Sequence, residues 1–305
     1  MELPKELQEV ILNMHGDTGR EWLAALPDML AEVEARWGLK VGKPYAKLSY
    51  NLVLSAELAD GRGAVLKLNV PSQDVSNEIK ALQQYDGQGY VRLLEHDHER
   101  GWMLLEQLRP GTPLSELEED GEATRVFVDL LHKQQGEQKE IDLSTFPQIA
   151  EWAQGFENLK RHFNGGTGPF AAEVVDKAQR LYHELIETTA KPRLLHGDLH
   201  HDNMLQAGAD EWVIIDPKGI VGDPCYEPIA FLRNYLLDKD VPEQVLATRM
   251  DTICNTLGYD KHRVVSWGFA HMVLAAWWNL ESKQEEAWKS SVEIAEMFKR
   301  LLGKL

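Results

Sequence analysis

The stretch His196-Gly197-Asp198-Leu199-His200-His201-Asp202-Asn203 sets an aspartate and an asparagine five residues apart, and Asp216 follows thirteen residues later in Ile214-Ile215-Asp216-Pro217. All three offer hard oxygen atoms. Moving the terminal phosphoryl group of ATP to a hydroxyl needs little covalent help and much management of charge. One carboxylate must orient the attacking hydroxyl and take its proton. A second carboxylate and a neutral oxygen must hold Mg²⁺, which takes few of its oxygen ligands from the protein. Asp198 suits the first task, and Asn203 and Asp216 suit the second. Taken alone, Asp198 is also what a turn or a helix cap uses. The nearby His196, His200 and His201 offer a zinc site as another chemistry. Such a site needs its histidines on a helix and a third ligand from elsewhere; Gly197 disfavours the helix and no third ligand stands out.

The order of these pieces carries a resemblance. An H-x-D-x-x-x-x-N loop followed by a strand-end aspartate resembles the catalytic and metal loops of the protein-kinase fold. The form His196-Gly197-Asp198-Leu199-His200 resembles the aminoglycoside phosphotransferase branch. Ile215-Asp216-Pro217-Lys218-Gly219 and Val221-Gly222-Asp223-Pro224 are similar to the streptomycin 6-kinase and hydroxyurea phosphotransferase family. So are Leu105-Glu106-Gln107-Leu108-Arg109-Pro110-Gly111-Thr112-Pro113-Leu114 and Ala275-Ala276-Trp277-Trp278-Asn279-Leu280-Glu281, and the pieces keep that family's order over about residues 40–285.

What the resemblance implies is an α+β, bilobal, protein-kinase-like fold. It has a small β-containing N-lobe over residues 1–105 and a larger, mainly helical C-lobe over 106–305. It implies a small-molecule kinase using ATP and Mg²⁺, with Asp198 as catalytic base, Asn203 and Asp216 as metal ligands, and His196 as a structural residue of the loop. Lys67, in Ala64-Val65-Leu66-Lys67-Leu68, would reach the α- and β-phosphates, with Val65 one pleat away against the adenine. Glu78, ahead of Asp74, would pair with that lysine. The hinge would be Leu105-Glu106-Gln107-Leu108, with the Glu106 C=O and the Leu108 N–H reading the base. No G-x-G-x-x-G precedes Lys67; a turn near Leu48-Ser49-Tyr50-Asn51 takes its place, with Ser49 as a phosphate contact. Together with the lack of an A-P-E segment after Asp216, this argues against a protein substrate. Asp223, Glu227 and Glu281 are the candidates for holding a basic acceptor. The acceptor implied is a small-molecule hydroxyl compound, an aminoglycoside such as streptomycin. A metabolic sugar or amino-alcohol kinase on the same fold is one alternative, and a nucleotide-binding pseudokinase acting as an interaction module is another.

The elements that must position these residues can be read from periodicity. Residues 4–14 and 18–38 have helical spacing, with Trp22, Leu23, Leu26, Leu30, Val33 and Trp37 on one stripe, a break near Pro27 and Gly38 as cap. From Val41 the pattern alternates, and Asp60-Gly61 between two alternating runs predicts a hairpin. Lys67 and Val65 fall on one face of its second strand, and Leu66, Leu68 and Val70 on the other. Asp74 or Ser76 is expected to cap a helix running to about Tyr85. Residues 101–105 read as a buried strand. Helices are then expected at about 115–133, 146–163, 170–190, 225–237, 242–256 and 261–284, with a last one to about 302. A β-like island from Arg193 to Asp216 interrupts them. Trp267, Trp277 and Trp278 lie in a helix apolar nearly all round, which predicts core packing.

Composition narrows the setting. At 305 residues the chain exceeds what one core usually supports. Two cysteines, Cys225 and Cys254, argue against a disulfide framework and fit a reducing cytoplasm. The start Met1-Glu2-Leu3-Pro4-Lys5 predicts no leader peptide, and the apolar run Phe269–Trp278 is too short to span a bilayer. The net charge of −17 disfavours nucleic acid and anionic membranes as partners and favours a cationic acceptor.

Overall fold

The computed structural model describes residues 3–45, 51–136 and 141–305. The chain forms two compact units, residues 1–112 with 205–215 and residues 113–204 with 216–305. The boundary falls at Thr112 rather than after Leu105, and residues 205–215, expected in the C-terminal lobe, belong to the first unit. Backbone pairing explains both corrections. Gln206 accepts the Gly111 N–H at 2.9 Å and donates its own to Thr112, while Val91 N–H bonds Ile214 O at 2.8 Å.

In the first unit, α1 (Lys5–Trp37) breaks only at Gly16 (φ 55°, ψ −125°), in the gap expected between two helices. Pro27 stays inside the helix without a break. The one hydrogen bond that proline forfeits is offset by the burial of Trp22, Leu26 and Val33 around it. Strands β1 (Leu39–Pro44), β2 (Leu52–Leu58), β3 (Gly63–Leu68), β4 (Leu93–Asp97) and β5 (Trp102–Glu106) form an antiparallel sheet in the order β1-β2-β3-β5-β4. Its rows Leu54–Leu66–Leu104 and Leu52–Leu68–Trp102 share one apolar core with the α1 stripe. The period of two therefore sends Lys67, in register with Val53 and Met103, to the opposite face. Helix α2 (Gln73–Tyr85) is capped by Ser72 rather than by Asp74 or Ser76, with Asp74 in the first turn where the helix dipole favours it.

The second unit is mainly helical: α3 (Asp120–Gly136), α4 (Gln154–His162), α5 (Ala172–Glu187), α6 (Ile229–Arg233), α7 (Pro242–Leu257), α8 (Lys261–Glu281) and α9 (Glu285–Leu302). The expected helix over 225–237 shrinks to a single turn at Pro224–Tyr226 and the short α6, because Asn234 takes up an extended backbone. Helix α8 is buried on all sides from Val264 to Trp277, as its lack of polarity requires. Trp267 and Trp277 are core residues, whereas Trp278 is half-buried. Strands β6 (Arg193–Leu195) and β9 (Ile220–Gly222) pair antiparallel. Between them in the chain, β7 (Met204–Gln206) and β8 (Trp212–Ile214) make a separate ribbon.

Candidate active site

The loop that bears Asp198 leaves β6 through His196 and Gly197. Gly197 has φ +81°, and a Cβ there would meet Ile220 Cγ2 at 2.5 Å, so conformation and space both demand glycine. His196 is fully buried, and its Nδ1 accepts the Asp198 N–H at 3.1 Å. Glu227 receives the N–H of His196 at 2.7 Å and that of Gly197 at 2.9 Å, one on each oxygen. Asn203 closes the turn by donating Nδ2–H to Asp198 O at 3.0 Å. Lys218 N–H donates to His196 O at 2.9 Å, which ties the segment after Asp216 to the same loop. Asp216 itself has φ 57°, a left-handed backbone that few residues other than glycine accept.

The Asp198 carboxylate faces two cations. Lys218 Nζ is 3.2 Å from Oδ2 and Arg233 Nη2 is 3.3 Å from Oδ1. Burial by itself would raise the pKa of this group. Lys218 above all, then His200, Arg233 and His196, reverse that effect and hold the carboxyl well below the usual range, so it stays ionised. The next carboxylate, Asp202, is held by neighbours. Ser115 Oγ–H donates to it at 2.7 Å and Tyr235 O–H at 2.9 Å. The His200 hydrogen bond foremost, with those of Ser115 and Tyr235, keeps it well below its ordinary value despite partial burial. Tyr235 does this from a positive φ of 53°, which is costly for an aromatic residue.

These bonds bear on the zinc chemistry that the sequence left open. His196 Nδ1 and His200 Nδ1 accept the backbone N–H groups of Asp198 and Asp202. His201 stacks on Phe231 at 4.2 Å, and burial followed by the Arg249 charge pushes it down to about 3. The three rings are thus parts of the loop's own packing. Among the described residues, no three His, Cys, Asp or Glu side chains are grouped to hold a metal ion. A hard cation with few protein ligands fits better. The Asn203 amide donates an N–H to Asp198 O, which leaves its oxygen as a hard donor atom, and Asp216 is half-buried.

The first unit carries the residues expected on the nucleotide side. Lys67 Nζ and Glu78 Oε1 meet at 2.6 Å, both buried. Val65 is half-buried on the same face, in register with Ser55 and Leu105. Glu106 ends β5 and accepts the Arg92 N–H at 2.8 Å through its side chain, while Leu108 follows, half-buried. Ser49 lies outside the described residues.

Two of the carboxylates expected at the acceptor are instead internal. Asp223 is 4% exposed and accepts from Trp267 Nε1 at 2.7 Å, from Cys225 N–H and from Arg263. Glu227, also 4% exposed, is committed to the Asp198 loop. Both are buried because they satisfy backbone or indole donors that have no water to turn to. Glu281 is exposed at the end of α8. The reading of the sequence missed Lys218 and Arg233. Lys218 has a signal, a cation two residues after the metal-type aspartate; Arg233, 35 residues from its partner, has none.

A family model described as aminoglycoside/hydroxyurea antibiotic resistance kinase matches residues 36–283. The chain is 34% identical to the hydroxyurea phosphotransferase of Kitasatospora aureofaciens, covering all of this chain and 87% of the relative. It is 30% identical to the streptomycin 6-kinase of Streptomyces glaucescens, covering 97% of this chain and 96% of the relative. A solved structure of aminoglycoside phosphotransferase APH(4)-Ia, in ternary complex with ADP and hygromycin B, superposes with a TM-score of 0.64 at 12% identity, over 88% of this chain and 98% of that one, which shows a shared protein-kinase-like fold. With a loop of this construction and a match across four-fifths of its length, the chain belongs to the aminoglycoside/hydroxyurea antibiotic resistance kinases, a family of phosphotransferases.

Proposed function

We propose that this enzyme transfers the γ-phosphoryl group of ATP to a hydroxyl of a small cationic acceptor, an aminoglycoside such as streptomycin in the first place. The observation that carries the reading is the carboxylate of Asp198, kept ionised on a rigid loop that also presents the Asn203 oxygen. Lys67, braced by Glu78, would take the α- and β-phosphates, with Val65, Glu106 and Leu108 on the adenine side. Asn203 and Asp216 would hold Mg²⁺, whose charge offsets that of the phosphate oxygens. Asp198 would accept the hydrogen bond of the acceptor hydroxyl and, as the new bond forms, its proton. An ion that stays deprotonated is a weak base, which suits a loose transition state in which the nucleophile loses its proton late.

The net charge of −17 supports a cationic acceptor, and Glu281 remains as an exposed carboxylate for it. The 34% identity to a hydroxyurea phosphotransferase makes hydroxyurea the second acceptor to consider. A cytoplasmic setting, where ATP is present and thiols stay reduced, accords with the buried free thiols of Cys225 and Cys254. No described helix is long and apolar enough to cross a membrane.

The test is turnover of Mg-ATP with a panel of aminoglycosides, hydroxyurea and amino sugars, following ADP release and the mass of the product. Phosphorylated streptomycin is the expected outcome. Tight ATP binding with no transfer to any acceptor would instead favour a nucleotide-binding interaction module.

A further inference from the structure

Both oxygens of Asp198 are occupied by cations, Oδ2 by Lys218 and Oδ1 by Arg233. Each oxygen keeps a second lone pair, but a cation at 3.2–3.3 Å competes with the hydroxyl that this carboxylate is to orient. The two cations are not held alike. The Lys218 main chain is fixed by its N–H bond to His196 O and lies between the buried Pro217 and Gly219. Its side chain, by contrast, is 53% exposed and reaches Asp198 by a single contact, with the Trp152 ring 5.9 Å from Nζ. Arg233 is 37% exposed at the end of α6, touches Asp198 through Nη2, and its Nε is shielded from solvent without a hydrogen-bond partner. A compact ammonium on a flexible four-carbon stem, set on a fixed main chain, changes partners more readily than a planar guanidinium. Two cations around one carboxylate also leave this spot with an excess positive charge, in a chain whose net charge is −17. A phosphoryl group fits that excess.

We propose that Lys218 is a second catalytic residue, which pairs with Asp198 in the free enzyme and moves to the γ-phosphoryl oxygens when the nucleotide binds, releasing Asp198 Oδ2 to the acceptor hydroxyl. Arg233 stays on Oδ1 as a positioning residue. In the step that follows, the acceptor oxygen bonds to the γ-phosphorus as the bridging bond to the β-phosphate breaks. The bridging oxygen leaves on ADP with the electron pair, and the hydroxyl proton passes to Asp198 and then to solvent. Lys218 keeps its own proton throughout and neutralises charge on the group in flight. The inference rests on the phosphotransferase reading but not on the identity of the acceptor.

The experiment is binding of Mg·AMP-PNP and of Mg·ADP, measured by calorimetry on the full chain, with no acceptor and no turnover. Lys218→Met should weaken AMP-PNP about tenfold or more, the worth of one charge-assisted bond, and leave ADP within about threefold. Lys218→Arg should keep the preference for the γ-phosphate. Asp198→Ala, which frees Lys218 from its resting partner, should tighten AMP-PNP, and that gain should vanish in the Lys218→Met/Asp198→Ala double variant. Equal weakening of both nucleotides, or a gain from Asp198→Ala that survives without Lys218, overturns the exchange. If the wild type shows the γ-phosphate pattern yet phosphorylates nothing in the acceptor panel, the exchange stands and the acceptor reading falls. If it binds neither nucleotide, both fall.

Discussion

Glu227 Oε2 accepts the backbone N–H of His196 at 2.7 Å, so a carboxylate 31 residues further along the chain sets the main chain of the loop that presents Asp198. Burial pushes this carboxyl up to about 7, with the Asp198 charge adding to the effect and the N–H groups of Gly197 and His196 opposing it. The folded chain thus keeps a proton that the unfolded chain gives up above its usual value of 4.5. Glu227 contributes most to stability below that value, and the contribution is lost as pH rises towards about 7. Tm measured across this window should fall with rising pH. In Glu227→Gln the slope should flatten while overall stability drops by about 1–3 kcal/mol, because one N–H loses its acceptor. An unchanged slope in the variant would remove Glu227 as its source.

Asp198→Ala should cut transfer by about 10²–10⁴-fold while nucleotide remains bound, since this carboxylate serves the acceptor hydroxyl. Turnover and ATP binding measured side by side check it. Near-normal turnover refutes the assignment.

Asp216→Ala should raise the Mg²⁺ concentration needed for half-maximal turnover by tenfold or more, about the effect of losing one charged ligand. Titration of activity with Mg²⁺, and with Mn²⁺ as a second ion, reads this directly. The same metal dependence in variant and wild type would exclude the residue as a ligand.

The Lys67–Glu78 pair is buried, so each partner alone is a liability. Lys67→Ala should lower stability by about 3–5 kcal/mol, because the buried Glu78 carboxylate loses this ion pair. Lys67→Met/Glu78→Leu should recover much of that loss without recovering affinity for ATP. Chemical denaturation of the single and double variants, with nucleotide binding alongside, separates the structural role from the functional one. Restored affinity in the double variant would show that the lysine does not hold phosphate.

Much of this was legible in the sequence wherever local periodicity or a short-range motif encodes it. The hairpin around Asp60-Gly61, the face of Lys67 and the all-round apolar α8 follow from spacing alone. β4 was not foreseen, because Leu93–Asp97 is half-exposed and mostly polar and draws its strand character from pairing with β5. The same limit applies at the site. Asp198, Asn203 and Asp216 announce themselves by spacing, whereas the tasks of Glu227 and Asp223 depend on partners up to 44 residues away. A carboxylate satisfied in the interior and one open to substrate read alike in sequence, since burial is a property of the fold.

Residues 205–215 give one further result. The polypeptide crosses from one unit to the other after Thr112, after Met204 and after Ile215, so neither unit is a single stretch of gene. A fragment stopped at Thr112 lacks the segment that answers Val91 and Gly111, and one begun at Pro113 carries that ribbon without its partners. Recombination with a relative therefore cannot trade a whole unit at one crossover. A chimera meant to swap acceptor preference has to bring 205–215 from the donor of the amino-terminal part, flanked on one side by Asn203 and on the other by Asp216, which places both crossover points within two residues of the prospective magnesium ligands.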